Sequence, residues 1–279
     1  MRILLIVNAG SGGVDDPDAI AAGLRTRGAD VDAHPIDDLD DLRDAPPAGV
    51  DRVVVAGGDG SLGPAAALAA QLDVPLAVLP VGTANDLARA LELPLDDLEA
   101  ALDLAARGEG LRTVDIADAG VVPFLNTASA GLSVHATRSA VPLKRVLGPL
   151  AYAAGAVHAG VRAQPLQVRV AADGEPVFSG RAWQVIVAGT GAFGGGSKLD
   201  VARPGALDVA VLVAGPRRQL LRRAHGMRVG GLTEQDGVVH ARGTTVTVEG
   251  PGDFNVDGDV RTVPGGRFTT ADQVRIVVS

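Results

Sequence analysis

Three glycine-containing turns carry most of the chemistry that this sequence offers. They are Asn8-Ala9-Gly10-Ser11-Gly12-Gly13, Gly57-Gly58-Asp59-Gly60-Ser61 and Pro80-Val81-Gly82-Thr83-Ala84-Asn85-Asp86. Glycine lets a backbone approach a phosphate closely and aim its N–H groups at it. A helix that starts just after such a turn adds partial positive charge. An aspartate in the same turn repels phosphate unless Mg²⁺ or its water shell lies between them. Asp59, Asp86 and Asp115 all fall at or near the ends of strand-like runs, which permits a shared carboxylate–water–Mg²⁺ network. A lone Gly-Gly-Asp-Gly is more often a plain turn, and Gly82 with Thr83 could be only a helix cap. Three such turns in register favour phosphate over turn chemistry. The first turn is not a dinucleotide fingerprint, because G-x-G-x-x-G is missing.

The elements that must position these turns are legible in the flanking residues. Aliphatic runs at 2–7, 31–34, 52–56, 76–79 and 113–117 read as strands. Asp16 and Pro17 read as the cap and first residue of a helix over 18–27. Further helices are expected over 62–71, 84–91 and 98–107. Thr83 would cap the third, with Asp86 as its capping-box partner. Residues 37–44 read as an acidic connector. Strand and helix alternate, so residues 1–117 form an α/β domain with a mainly parallel sheet. Its ligands belong at the carboxyl ends of the strands.

After Asp118 the texture changes. Strands are expected at 121–127, 166–171, 177–189, 206–213, 238–241, 244–249, 252–256, 267–270 and 274–278. Turn signals such as Asp173-Gly174 and Pro251-Gly252 separate them. Helices are expected over 144–161 and 219–228. Residues 118–272 therefore read as a β-rich domain.

Composition narrows the function classes. The chain has 279 residues and a formal net charge of -8, which argues against nucleic acid as a partner. Without cysteine it has no disulfide, thiolate nucleophile or cysteine metal site, which fits a cytoplasmic location. No apolar run reaches the ~18 residues that a membrane span requires, so any membrane contact is expected to be peripheral. The histidines lack metal-binding spacing.

The run Val53-Val54-Val55-Ala56-Gly57-Gly58-Asp59-Gly60-Ser61, followed by Leu79-Pro80-Val81-Gly82-Thr83-Ala84-Asn85-Asp86-Leu87-Ala88-Arg89, resembles the diacylglycerol kinase catalytic family, and most of all its bacterial soluble lipid kinases. Phe124-Leu125-Asn126, Gly194-Gly195-Gly196 and Phe254-Asn255-Val256-Asp257-Gly258-Asp259 extend the resemblance over essentially the full length. The Pro-x-Gly-Thr-x-Asn-Asp element separates this family from the NAD kinases, which share the Gly-Gly-Asp-Gly turn. The resemblance implies an α/β nucleotide-binding domain and a β-sandwich lipid domain, with residues 273–279 returning to the first domain. It implies ATP- and Mg²⁺-dependent phosphorylation of a lipid hydroxyl. By position, Asn8, Gly57, Gly58, Asp59, Gly60, Ser61, Gly82 and Thr83 match nucleotide contacts. Asp59, Asp86 and Asp115 match the carboxylates of the magnesium–water network. Asp259 stands where the family has the glutamate proposed as general base; a plain hairpin turn is the alternative for that segment.

The chain also departs from the family. Ser61-Leu62-Gly63-Pro64 replaces Thr-x-Asn-Glu, and Pro64 is expected in the first helical turn. The Asp-Asp-Gly or Asn-Asp-Gly of a structural metal site is missing, so that site is not carried over. Residues 130–161 read as one wall of an acyl-chain pocket or, equally, as core packing. Arg217, Arg218, Arg222 and Arg223 read as a basic surface face. The leading expectation is a cytoplasmic lipid kinase, peripheral to the membrane. A binding protein of the same fold and a kinase of a soluble substrate such as NAD are the alternatives. The oligomeric state is open, a homodimer included, and so is the identity of the lipid.

Overall fold

The computed structural model describes residues 1–9, 16–140, 164–193, 197–198, 204–217 and 232–279. Residues 10–13 of the first turn, the helices expected over 144–161 and 219–228, Gly194 to Gly196, and Arg218, Arg222 and Arg223 lie outside the described residues. The chain divides into two compact units, Met1–Ile116 with Asp272–Ser279, and Ala117–Ala271.

The first unit is an α/β layer structure. Its elements run β1 (Arg2–Val7), α1 (Pro17–Thr26), β2 (Asp30–Pro35), α2 (Leu39–Asp44), β3 (Arg52–Gly57), α3 (Asp59–Gln71), β4 (Leu76–Pro80), α4 (Asp86–Ala90), α5 (Leu98–Arg107) and β5 (Gly110–Asp118). The order β2-β1-β3-β4 is wholly parallel. Both faces of β1 and β3 are buried, which is why these strands are continuous aliphatic runs rather than alternating ones. Ile3, Leu5, Val54, Ala56, Ala77 and Leu79 pack against Ile20, Ala21 and Leu24 of α1 and Ala101, Leu102 and Ala105 of α5.

Capping explains the helix boundaries. The Asp16 carboxylate accepts from the amides of Asp18 and Ala19, and Asp97 accepts from Ala100. The Arg52 guanidinium is buried and donates to Ala105 O at 2.6 Å and Gly108 O at 2.7 Å, satisfying carbonyls at the end of α5. Burial pulls its pKa below the ordinary arginine value.

The second unit is β-rich and sandwich-like. Its elements are β6 (Pro123–Phe124), β7 (Thr127–Gly131), α6 (Leu132–Ala140), β8 (Leu166–Ala172), β9 (Glu175–Ala188), β10 (Ala192–Phe193), β11 (Ser197–Lys198), β12 (Leu207–Val213), β13 (Val238–Gly243), β14 (Thr245–Glu249), β15 (Asp253–Val256), β16 (Asp259–Thr262) and the first part of β17 (Arg267–Val278), whose residues from Asp272 onward belong to the first unit. The long strand β9 pairs antiparallel with β8, β7 and β12. Alternating residues of β8, β9, β12 and β14 converge on a core with Phe124, Phe254 and Phe268. Phe268 meets the other two rings edge-on, with centroids 6.2 and 5.0 Å away. Trp183 is buried, with its indole N–H donating to Gly215 O at 3.1 Å.

The structure corrects several local expectations. The acidic segment 37–44 folds as a short 3₁₀ turn followed by α2, because Leu39 and Leu42 supply a buried face. Helix α3 begins at Asp59 rather than Leu62, so the aspartate and the two residues after it form its first turn. Pro64 therefore lies in the second turn, where it removes the N–H that would bond Gly60 O. The expected strand 121–127 is split into β6 and β7, and the two strands expected at the end are one, β17. Helix α6 and strand β16 were not anticipated.

Candidate active site

The parallel register brings the first residues of the three turns to one edge of the sheet. Val7 is level with both Pro35 and Ala56, and Gly57 is level with Pro80. The turns also interlock. Asn8 Nδ2 donates to Ser61 Oγ at 2.8 Å, joining the first turn to the second. A Cβ on Gly57 would meet Ser61 Oγ at 2.6 Å, so glycine leaves that bond its space. A Cβ on Gly82 would overlap Gly58 Cα and lie 3.2 Å from Gly58 N; two glycines are thus pressed face to face.

Asp59 makes the third link. Its Oδ1 accepts from the amide of Leu87 at 3.3 Å, in the first turn of α4. This corrects the expected Thr83 cap. The residue before α4 is Asn85, held at a positive φ of 50°, and Thr83 is exposed outside the helix. The reason is local: Asn85 Nδ2 donates to Pro80 O at 2.9 Å and Gly82 O at 2.8 Å, and Asn85 Oδ1 accepts from Gly82 N at 3.0 Å. Those bonds curl residues 80–85 into a closed turn, and the helix starts only beyond it. Sequence reasoning missed Asn85 as the organiser of this turn. Its signal was the Asn-Asp pair directly before an apolar helix, which permits a left-handed residue as well as a cap.

The N-terminus of α3 differs from those of α1 and α5 in having no side-chain cap. A helix N-terminus without a side-chain cap suits an anion. Asp59 is half-buried and Asp86 is buried, one residue before the amide that Asp59 accepts. Asp115 lies on β5, half-buried, and accepts from Gln273 Nε2 at 2.7 Å. Among the described residues no group of three or more His, Asp or Glu is gathered tightly enough to hold a metal directly. The carboxylate oxygens of Asp59 and Asp86 are nonetheless hard donors on adjoining turns, and this suits an ion that keeps most of its own water, as Mg²⁺ does.

Asp259 belongs to the second unit. It is exposed, opens β16, and lies 3.5 Å from Arg261 Nη2. Asp257 and Gly258 form the two-residue turn between β15 and β16, with Val256 opposite Asp259 and φ values of 43° and 99°. Asn255 Oδ1 accepts from Gly258 N at 3.1 Å. Asp257 is buried and its carboxylate accepts from the amides of Leu125, Asn126 and Thr127 at 2.8 to 3.0 Å. Sequence reasoning missed Asp257.

Comparisons with known proteins agree with this architecture. Residues 2–119 match the diacylglycerol kinase catalytic domain, and residues 126–277 match the YegS C-terminal NAD kinase beta sandwich-like domain. The chain is 32% identical over 254 residues to a diacylglycerol kinase of Mycobacterium tuberculosis, spanning 85% of this chain and 81% of that one. It is 34% identical over 242 residues to a probable lipid kinase YegS-like of Pseudomonas fluorescens, spanning 82% and 77%. A putative diacylglycerol kinase from Bacillus anthracis has the same fold, with a TM-score of 0.74 at 22% identity over 100% of this chain and 97% of that one. With both halves of the chain matched in order, this protein belongs to the diacylglycerol kinase family.

Proposed function

We propose that the chain transfers the γ-phosphoryl group of ATP to the hydroxyl of a diacylglycerol-like lipid. The observation that carries this reading is the interlocked edge: Asn8 bonded to Ser61, Gly82 pressed on Gly58, and Asp59 bonded to Leu87. Such a frame fixes the turns relative to one another, and fixed positioning is the main requirement of phosphoryl transfer. The turn from Gly57 to Ser61 would bind the nucleotide phosphates, with Gly82 and Thr83 beside it. Asp59, Asp86 and Asp115 would hold Mg²⁺ through water, and the ion would supply charge neutralisation on the transferring group. Asp259 would take the proton of the lipid hydroxyl as its oxygen bonds to the γ-phosphorus. The bond to the bridging oxygen then breaks and ADP leaves. A cytoplasmic protein meeting lipid at the membrane surface is consistent with the described helices, none of which is long and apolar enough to cross a membrane.

The test is the Asp59→Ala variant, assayed with radiolabelled ATP, Mg²⁺ and a lipid panel that includes diacylglycerol. Phosphorylated lipid should form with the unaltered chain and fall at least a hundredfold in the variant, while circular dichroism stays unchanged. Near-normal turnover by the variant sinks the assignment. Pro64, which lies inside α3 one turn behind the phosphate frame, motivates a second reading, a lipid- or nucleotide-binding protein of this fold. Nucleotide binding without product would establish it.

A further inference from the structure

The turn that presents Asp259 is held by a side chain as well as by strand pairing. The ladder between β15 and β7 consists of Asn255 opposite Ser129 and Val256 opposite Ala128, and it ends there. Beyond it Asp257 continues the attachment. Its amide donates to Thr127 O at 2.9 Å. Its Oδ1 accepts from Asn126 N at 3.0 Å and Thr127 N at 2.8 Å, and its Oδ2 accepts from Leu125 N at 2.8 Å. Three successive amides thus converge on one buried carboxylate. Charge-assisted bonds of this kind are about twice as strong as neutral ones, and they offset the cost of burying the charge.

The amides themselves are fixed from another side. Gly189 N donates to Asn126 O at 3.0 Å, and Thr190 N donates to Leu125 O at 2.9 Å. Thr190 Oγ1 donates to Asn126 Oδ1 at 2.9 Å. A Cβ on Gly189 would meet Leu125 O at 2.6 Å, so the end of β9 is packed directly on this segment. The ends of β7, β9 and β15 form one platform, and the two-residue turn projects Asp259 from it.

We propose that Asp257 is a positioning residue that fixes Asp259 through this platform. The proposal rests on the reading of Asp259 as proton acceptor. Asp259 is exposed and its own ion pair with Arg261 is long, so its position depends on its pairing with Val256 and on what anchors that hairpin. An aspartate base has one methylene less reach than glutamate, which leaves less freedom to correct a misplaced backbone. A displacement of ~1 Å in a reacting group can cost about a hundredfold in rate.

The experiment uses the full chain with ATP, Mg²⁺ and diacylglycerol in mixed micelles, and compares Asp257→Asn, Asp259→Asn and the double variant. Asparagine tolerates the positive φ of the turn, so the substitution tests the carboxylate. Asp257→Asn should lower kcat at least tenfold and leave KM for ATP within twofold. The double variant should be no slower than Asp259→Asn alone. Losses that multiply in the double variant would show a merely structural role and overturn the proposal, as would wild-type kcat in folded Asp257→Asn. Should Asp257→Asn not fold, Thr190→Val loosens the same platform. Its kcat should then fall two- to fivefold, and the loss should vanish in the Asp259→Asn background; an unchanged kcat overturns the proposal. Full turnover by Asp259→Asn refutes the proton-acceptor reading and the positioning role with it. An inactive Asp259→Asn beside a fully active Asp257→Asn refutes the positioning role alone.

Discussion

Replacing Gly82 with alanine adds a methyl carbon that overlaps Gly58 Cα and lies 2.7 Å from Asn85 Oδ1 and 3.2 Å from Gly58 N. Two of the three neighbours are backbone atoms, and neither can rotate away. Asn85 cannot swing aside without losing its bonds to Pro80 O and Gly82 O. Relief therefore requires the two turns to separate by about 1 Å, the scale at which a positioned site loses about a hundredfold in rate. The overpacking should also cost about 1–3 kcal/mol, which lowers Tm by roughly 5–10 °C in a domain of this size. The assay is kcat/KM for ATP at saturating lipid, with Tm from a thermal melt. Gly252→Ala is the control, because a Cβ there meets nothing within 4 Å. A Gly82→Ala protein with kcat/KM within threefold of the parent and an unshifted Tm would refute the claim that contact between these turns builds the site.

Two further predictions concern stability. Arg52 enters β3 at the end opposite Gly57, so its substitution should separate folding from nucleotide binding. Arg52→Leu strands the carbonyls of Ala105 and Gly108, and should destabilise the chain by about 2–4 kcal/mol while KM for ATP holds; urea titration and steady-state kinetics check both halves. Asp173 is held below the usual carboxylate range chiefly by the amide of Thr245, then by the Thr244 hydroxyl; Asp253 is held there by the Thr262 hydroxyl, then by Arg138. A depressed folded-state pKa means that the stabilisation is complete above the unfolded value of ~3.9 and is lost as pH falls through the lower folded values. The urea midpoint should thus drop progressively below pH ~4, and Asp173→Asn should flatten that drop; an acid limb of unchanged slope would contradict it.

The architecture was legible where local pattern and tertiary role coincide. Buried parallel strands are continuous aliphatic runs, and β1, β3 and β4 are such runs because both their faces are covered. Asp16-Pro17 marked the start of α1 because its cap lies within four residues of chain. Where the partner is distant, the same rule misleads. The carboxylate that accepts from the first turn of α4 is Asp59, 28 residues before Leu87. Thr83 and Asp86 supplied a plausible local box, and Asn85 took the turn away from it by bonding backwards to Pro80 and Gly82. Asp257 was illegible for the same reason, since the amides it gathers lie about 130 residues away along the chain. In both places a side chain that reads as ordinary turn chemistry is committed to a distant backbone. Asp59 illustrates the consequence for function. One carboxylate oxygen engages the start of α4, so the residue expected to hold the ion also fixes the neighbouring turn. Asp59→Ala should therefore disturb the frame as well as the metal, whereas Asp59→Asn retains an oxygen for Leu87. Comparing their losses in ATP binding separates the two roles: a structural contribution predicts weaker nucleotide binding by Asp59→Ala than by Asp59→Asn when both are measured without Mg²⁺.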